Sequence, residues 1–310
     1  MRIFVAGGTG VLGRPIVEAL VDRGHEVVAT SQRPEKFSVI EALGARPELM
    51  NGLDEATVRQ AIGRAEPEVI VNQMTALSAP SRDYATWLAV TNRLRAEGTR
   101  TLMAAAREAG TRRVVAQSAS FMTQPSGSGP TDEASPLYLD APEPIRSHVQ
   151  ANTAAETLVL ETPGIDGVVL RYGFFYGEGT AVGPDGEWAT GVRSGAVPIV
   201  GEGTGQYPFV HVRDAVAATV TAVDRGSPGI YNIVDDEPAP QAEWLPYLAD
   251  ILHAPAPGRV SEAEAEEQIG VQAVYYGTQL RAASNAKAKA ELGWTLEYPS
   301  WREGFRELFG

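Results

Sequence analysis

The residue pair with the clearest chemical potential lies near the middle of the chain, in the stretch SHVQANTAAE at 147–156. His148 and Asn152 are four residues apart, so a helix would present both on one face. An imidazole with an ordinary pKa of about 6.5 exchanges a proton near neutral pH without an assisting charge. Asn152 can hydrogen-bond a ligand hydroxyl group, but it is uncharged and cannot lower the pKa of a neighbour electrostatically. This helix face is therefore a candidate active site with His148 as the acid or base.

A second chemical motif, VAGGTGVLG, lies at the N-terminal end. Gly7, Gly10 and Gly13 have the spacing of a glycine-rich loop between a predicted strand and a predicted helix. Glycines let the backbone turn tightly, let a pyrophosphate approach the main chain and let the helix pack on the strand. The free N–H groups at the start of the helix attract phosphates. The motif predicts a dinucleotide-binding site.

The end of the second predicted strand indicates which dinucleotide is preferred. Chains that bind NAD usually carry Asp or Glu about 20 residues after the glycines, where it bonds the ribose 2′-hydroxyl. This chain has no acid there, and its residues are Thr30, Ser31, Gln32 and Arg33. Ser31 and Gln32 can donate hydrogen bonds, and Arg33 can pair with a 2′-phosphate and stack on adenine. The pattern favours NADP, with NAD as the alternative.

The elements that must position these residues alternate between short apolar runs and longer helical patterns. This alternation predicts an α/β fold of the Rossmann type, with a doubly wound parallel sheet. The predicted strands are 3–6, 26–30, 68–72, 113–117 and 168–171, and the predicted helices are 13–23, 55–62, 84–109 and 145–161. We expect a dinucleotide-binding domain at 1–172 and a mainly substrate-binding part at 173–310, with 208–234 returning to the first domain. The acidic segment 261–270 is expected to be a solvated helix.

Composition excludes several classes of function. A net charge of −13 and a pI near 4.9 argue against a nucleic-acid partner, which needs clustered basic side chains. The chain has no cysteine, so disulfides, thiol nucleophiles and zinc–thiolate sites are excluded, and no metal site is predicted. No apolar run approaches the roughly 18 residues of a membrane helix, and no signal peptide is visible. We expect a cytoplasmic protein that acts on a small molecule.

Several longer segments carry a family resemblance. The segments GTRTLMAAAREAGTRRVVAQSAS, VLRYGFFYGEGT, YPFVHVRDAVAA, GIYNIVDDEP and NAKAKAELGW follow the order found in the extended branch of the short-chain dehydrogenase/reductase superfamily. The chain resembles the NAD(P)-dependent epimerase/dehydratase-like proteins of that branch over nearly its whole length. The resemblance implies a nicotinamide cofactor and a homodimer that pairs helices four and five.

The resemblance also assigns roles to individual residues. The pyrophosphate loop would comprise Gly7, Thr9, Gly10, Val11 and Leu12. Asn51, Gly52 and Leu53 would lie near adenine, with Asn51 in place of the family's usual Asp. Met74, Thr75 and Ala76 would lie along the cofactor. Ser118 matches the catalytic Ser/Thr that hydrogen-bonds the substrate oxygen.

The chain departs from the family at its proton donor. The family carries a Tyr-x-x-x-Lys pair, in which lysine lowers the pKa of the tyrosine. Aligned on Glu156, the tyrosine position is His148 and the lysine position is Asn152. None of the ten tyrosines has a lysine four residues later, so no other register restores the pair. The tyrosines that could supply an acid instead are Tyr138, Tyr172, Tyr176, Tyr275 and Tyr276.

Three functions are compatible with these observations. The first is an NADP(H)-dependent reductase or epimerase-like oxidoreductase of a small oxygenated metabolite, with Ser118, His148, Asn152 and Tyr172 as candidate catalytic residues. The second is a non-redox dehydratase, cyclase or isomerase that uses His148 as acid or base. The third is an NADP-binding sensor without catalysis.

Overall fold

The protein is built on one large parallel sheet. A computed structural model describes residues 1–77 and 84–310. The strands of this sheet are β1 (Arg2–Ala6), β2 (Glu26–Ser31), β3 (Arg46–Leu49), β4 (Val69–Asn72), β5 (Arg113–Ala119), β6 (Asp166–Tyr172) and β11 (Gly229–Ile233). Their order is β3-β2-β1-β4-β5-β6-β11, and every neighbouring pair is parallel. The chain winds outward in both directions from β1 and β4, which confirms the predicted doubly wound Rossmann-type fold.

Helices cover both faces of this sheet. They are α1 (Gly13–Asp22), α2 (Phe37–Ala42), α3 (Glu55–Ala65), α4 (Tyr84–Arg93), α5 (Thr99–Glu108), α6 (Ile145–Glu161) and α8 (Val212–Asp224). A short 3₁₀ helix spans Pro34–Lys36. One face packs around Ile16, Leu20 and Val223, and the other around Ile62, Leu102 and Val159. Apolar strands are thus buried on both sides, as their sequences predict.

The predicted elements are confirmed with two informative differences. The single helix predicted at 84–109 is α4 and α5 joined by a π-helical segment, Leu94–Gly98. Strand β3 was not predicted, because its sequence RPEL contains a proline and two charged residues instead of an apolar run. It forms the edge of the sheet, where a proline is tolerated.

The rest of the chain builds a second core from aromatic residues. Its small sheets pair β7 (Phe174–Tyr176) with β10 (Phe209–His211), β8 (Ile199–Val200) with β13 (Arg259–Val260), and β9 (Gln206–Tyr207) with β12 (Ala239–Pro240). Its helices are α7 (Glu187–Arg193), α9 (Gln241–Ile251), α10 (Glu262–Gln268), α11 (Val271–Val274) and α12 (Trp301–Phe309). A further π-helical segment, Tyr275–Gln279, belongs to this part, whereas a third, Ala288–Leu292, packs on the core of the large sheet. Trp244, Trp301 and Phe305 are fully buried in this core.

The acidic segment forms helix α10, as predicted. Ser261 caps its N-terminus in a reciprocal capping box with Glu264, and only Ala265 is buried. In the part of the chain that is described, no helix is long and apolar enough to cross a membrane.

Candidate functional site

The glycine loop connects β1 to α1 at the carboxyl edge of the sheet. Gly7 has a φ of +85°, and a Cβ on it would lie 2.8 Å from the Gln73 carbonyl oxygen. A Cβ on Gly13 would lie 2.1 Å from the Gly7 carbonyl oxygen. The Gly7 N–H donates to Thr30 Oγ1 at 3.0 Å, which ties the loop to β2. Only glycine fits at these two positions because the loop folds closely on itself and on the neighbouring strand.

The loop has the properties of a phosphate cradle. Gly10 and Val11 are exposed. The backbone N–H groups of Val11 and Leu12 donate to no backbone oxygen in residues 1–77 and 84–310, and α1 starts directly after them. Unpaired N–H groups at a helix N-terminus bind anions. These residues, with Thr9, therefore fit the pyrophosphate of a dinucleotide.

The other predicted cofactor residues follow β2, β3 and β4, which end at the same edge of the sheet. Ser31 is buried and its hydroxyl accepts a bond from the Arg33 N–H at 3.1 Å, whereas the Gln32 and Arg33 side chains are exposed. Asn51 is exposed, and its Oδ1 accepts the Leu53 N–H at 3.1 Å.

The segments after β3 and β4, which are predicted to lie along the cofactor, are closely packed. A Cβ on Gly52 would lie 2.6 Å from Met74 Sδ, so the segments that follow β3 and β4 pack tightly against each other at this edge. Thr75 is exposed, and the Ala76 N–H donates to Thr91 Oγ1 at 2.9 Å. The structure thus places the predicted cofactor residues in one line along the carboxyl edge, where open α/β sheets bind ligands.

Helix α6 brings a column of polar side chains to this edge. His148, Asn152 and Glu156 are all buried, one turn apart. Glu156 pairs with Arg171 of β6 through two bonds, 2.8 Å from Nε and 2.6 Å from Nη2. Both charges are thereby compensated inside the protein, as buried ions require.

Ser118 and Asn152 lie above this ion pair. The Ser118 hydroxyl donates to Glu156 Oε1 at 2.6 Å and lies 3.4 Å from Asn152 Oδ1. Asn152 is fully buried and donates from Nδ2 to the His148 carbonyl oxygen at 2.9 Å. The structure thus brings together Ser118, Asn152 and His148, with the serine hydroxyl turned towards Glu156.

His148 has an unusual environment for a proton donor. Its Nδ1 lies 3.0 Å from Nη1 of Arg95, and its Nε2 is buried with no hydrogen-bond partner among the described residues. Burial, together with the positive charge of Arg95, lowers the pKa of His148 well below its usual value. The imidazole is therefore neutral at neutral pH. Because Arg95 can only donate, Nδ1 is the acceptor and the ring proton belongs on Nε2.

Arg95 lies on the π-helical segment between α4 and α5, and its side chain is buried. Burial lowers the pKa of Arg95 to about 10, with the nearby Tyr84 and Tyr276 acting in the opposite direction, so the guanidinium is charged at neutral pH. The Tyr84 and Tyr276 hydroxyl oxygens are 2.7 Å apart. A buried cation therefore stands directly beside the candidate catalytic histidine.

Aromatic rings line the space next to His148. Phe121 stacks on His148 with ring centroids 6.2 Å apart and on Phe174 with centroids 4.2 Å apart. Tyr276 meets both phenylalanines edge to face, at 6.2 and 5.7 Å. We call Phe121, Phe174 and Tyr276 the aromatic wall. All three side chains are half-buried.

Of the remaining candidate tyrosines, Tyr275 contacts the aromatic wall, with its ring centroid 5.4 Å from that of Tyr276, whereas Tyr172 and Tyr176 are buried elsewhere. Tyr172 is buried in the sheet core with its hydroxyl 2.6 Å from Thr219 Oγ1, and burial raises its pKa to about 12. Tyr176 is fully buried against Phe305. Tyr138 contacts Tyr275, whose hydroxyl donates to the Phe121 carbonyl oxygen. Of the predicted tyrosines, the structure brings Tyr276 closest to the His148 environment through the aromatic wall.

Sequence reasoning missed Arg95, Tyr84 and the aromatic wall residues Phe121 and Phe174. Arg95 occurs in the helical sequence TNRLRAEG beside the exposed Arg93, and nothing in its local pattern separates the two. A π-helical turn shifts the face on which a residue lies, so ordinary helical spacing does not reveal its direction.

The fold and the glycine loop define an α/β protein of the dinucleotide-binding type, and the comparisons with known proteins specify its class. The family model described as "NAD dependent epimerase/dehydratase family" matches residues 3–234. The chain belongs to this family, and it is an enzyme of the NAD(P)-dependent oxidoreductase and epimerase-like class.

Two relatives of the chain are named as reductases. The chain is 43% identical over 309 residues to a 3-diazoavenalumate denitrifying reductase of Streptomyces sp., covering 98% of this chain and 99% of that protein. It is 31% identical over 255 residues to a 4-hydroxy-2-methyl-3-oxo-4-farnesyl-3,4-dihydroquinoline-1-oxide ketoreductase of Stigmatella aurantiaca, covering 81% of this chain and 73% of that protein. These names support an oxidoreductase role.

Solved structures share the fold. UDP-glucose 4-epimerase of Thermotoga maritima, with UDP-glucose, has a TM-score of 0.79 at 20% identity and covers all of this chain and 97% of its own. A human epimerase family protein with NADPH has a TM-score of 0.78 at 22% identity, with 99% of both chains covered. Proteins that share this fold thus include one solved with a small-molecule ligand and one solved with a nicotinamide cofactor.

Proposed function

We propose that this protein is an NADP(H)-dependent reductase that replaces a diazonium group of its substrate by hydrogen and releases dinitrogen. The observation that carries the proposal is the state of His148. It occupies the position where the family resemblance puts the proton donor, but it is buried, neutral and next to a cation. Such an imidazole is a poor acid at neutral pH.

The reaction catalysed must therefore tolerate a weak acid at this position. A carbonyl group that accepts hydride becomes an alkoxide, which requires a proton. A diazonium group that accepts hydride has no such need: the new C–H bond replaces the C–N bond, the hydride supplies both electrons, and neutral dinitrogen leaves. When bound, the nicotinamide cofactor supplies the hydride. The name of the Streptomyces relative, a reductase that acts on a diazo compound, agrees with this chemistry.

The chain's own residues hold the parts of this reaction in place. The loop from Gly7 to Gly13 would hold the pyrophosphate, and Ser31, Gln32 and Arg33 would hold a ribose 2′-phosphate, which favours NADPH. Residues Asn51, Gly52 and Leu53 would line the adenine side, and Met74, Thr75 and Ala76 the cofactor edge. Asn152 fixes the helix turn beneath His148 through its bond to the His148 carbonyl oxygen. The Ser118 hydroxyl donates a hydrogen bond to Glu156 and would thereby position α6.

The proposal is tested with a panel of diazotised aminobenzoates and aminocinnamates. We expect loss of the NADPH absorbance band and formation of one arene for each NADPH consumed, detected by mass spectrometry. Reactions without enzyme correct for spontaneous reduction. A matched panel of aromatic aldehydes tests the carbonyl-reductase alternative, which the ketoreductase relative favours.

The outcomes separate the alternatives. Reduction of the aldehydes but not of the diazo compounds would replace our proposal by carbonyl reduction. Products formed without consumption of NADPH would indicate a non-redox enzyme. Tight NADPH binding without turnover on either panel would indicate a sensor. NADH binding tighter than NADPH would refute the cofactor preference alone.

We also propose a homodimer, on the grounds of the family resemblance. Light scattering of the purified protein would test it, and the mass of a single 33.0 kDa chain would refute it.

A further inference from the structure

Arg95 differs from the other buried arginines of the described residues in what its guanidinium contacts. Arg171 has the carboxylate of Glu156 at 2.6 Å. Arg113 donates to the carbonyl oxygens of Ala222, Arg225 and Gly226. Within residues 1–77 and 84–310, Arg95 has a single acceptor, the neutral Nδ1 of His148, and no carboxylate within ion-pair distance. A buried charge without a counter-ion is costly, so a function must maintain it.

The two partners of this contact also leave donors unused. Nε of Arg95 and Nε2 of His148 are buried and have no hydrogen-bond partner among the described residues. Since Nδ1 accepts from Arg95, Nε2 carries the ring proton, and both unused atoms are donors. Unsatisfied buried donors are rare in folded proteins. The pair lacks an acceptor, and an acceptor with negative charge would satisfy the electrostatics as well.

The aromatic side chains near Arg95 and His148 indicate what kind of ligand would supply this acceptor. The aromatic wall begins at His148, because Phe121 stacks on the imidazole with an interplanar angle of 8°. It continues through Phe174 to Tyr276, whose hydroxyl meets that of Tyr84. Flat conjugated groups pack favourably on such rings. Both Arg95 and Tyr276 lie on π-helical segments, which occur frequently at functional sites.

We propose that Arg95 binds a carboxylate of the substrate, and that the aromatic wall beside His148 accepts its flat, conjugated part. The substrate class is thus an aromatic or otherwise conjugated carboxylic acid. This inference rests on the proposed function for its link to catalysis, but the binding site itself is testable without turnover. Arg95 is then a specificity-determining residue.

The test uses trans-cinnamate and its uncharged counterpart cinnamamide as probes. Each is titrated into the NADP⁺-loaded protein by calorimetry. We expect cinnamate to bind at least tenfold more tightly than cinnamamide. Arg95→Gln should weaken cinnamate binding at least tenfold and change cinnamamide binding less than twofold. Arg95→Lys, which keeps the charge but not the planar geometry, should give an intermediate value.

The matched control is Arg93→Gln, because Arg93 precedes Arg95 by two residues and forms an exposed pair with Glu97. It should leave both affinities unchanged. NADP⁺ affinity and thermal unfolding show that each variant is folded, and Arg95→Lys keeps the test valid if Arg95→Gln does not fold. The inference is overturned if the wild type binds neither probe or both equally. It is also overturned if a folded Arg95 variant without charge binds cinnamate as tightly as the wild type.

A failure of the proposed reaction can be distinguished from a failure of the carboxylate site. If no diazo compound is reduced but cinnamate binding still depends on Arg95, the carboxylate site stands and the reaction is wrong. If diazo acids and their amides are reduced at equal rates by both the wild type and Arg95→Gln, the reaction stands and the carboxylate site is wrong.

Discussion

Replacing Gly13 by alanine should weaken cofactor binding through the shape of the loop alone. The new Cβ would lie 2.1 Å from the Gly7 carbonyl oxygen and 3.0 Å from the Gly7 carbonyl carbon. A contact that short forces backbone to move, and overpacking of this kind costs about 1 to 3 kcal/mol. If the movement displaces the N–H groups of Val11 and Leu12, this cost reduces NADPH affinity by about 5- to 150-fold, since 1.4 kcal/mol is about a factor of ten.

The chain provides a matched control for this variant. Gly63 lies inside α3, and a Cβ there would meet nothing within 4 Å. Gly63→Ala should leave NADPH affinity unchanged and stabilise the fold by up to about 1 kcal/mol, because alanine is the better helix former. Calorimetry with NADPH and thermal unfolding measure both effects. An unchanged NADPH affinity in folded Gly13→Ala would refute the assignment of this loop to the cofactor.

Further predictions concern the buried charges and the cofactor preference. Glu156→Gln should lower the free energy of unfolding in urea by about 3 to 5 kcal/mol, because it leaves Arg171 buried and unpaired. Glu108→Gln, which removes an exposed ion pair, should lower it by under about 1 kcal/mol. Equal costs would contradict the buried-pair argument. In the unfolded chain His148 takes up a proton below a pH of about 6.5, whereas in the folded protein its lowered pKa keeps it neutral. The free energy of unfolding should therefore fall as the pH falls through that value, by up to about 1.4 kcal/mol per pH unit. His148→Gln should flatten that slope between pH 7 and 5, and an identical slope would show that His148 is not the cause. Cinnamate affinity should fall as pH rises through about 10, where Arg95 loses its charge, and a pH-independent affinity would count against the site. Arg33→Ala should weaken NADPH binding about tenfold and NADH binding less than twofold, and equal losses would exclude a 2′-phosphate contact.

Local patterns were sufficient for the main architecture. The alternation of apolar strands with amphipathic helices predicted the parallel sheet, because each element must bury its apolar side independently of its neighbours. The edge strand β3 was not predicted, because its sequence RPEL contains a proline and two charged residues instead of an apolar run. The single long helix at 84–109 was predicted correctly as helical, but its π-helical turn depends on packing and leaves no sequence signal.

The candidate site was only partly accessible to sequence reasoning. His148 and Asn152 stood out by their spacing, and Ser118 by the family resemblance. Their state in the fold depends on residues far away in the chain. Arg95 lies 53 positions from His148, and Arg171 lies 15 positions from Glu156.

The sequence by itself determined the fold class, the glycine loop and the absence of the Tyr-x-x-x-Lys pair, because each of these is a property of residue type and local spacing. The tertiary structure alone decided that His148 is neutral, that Ser118 is committed to Glu156 and that Arg95 is a buried cation without a carboxylate among the described residues. Desolvation and neighbouring charge set these properties, and both arise only when distant parts of the chain meet.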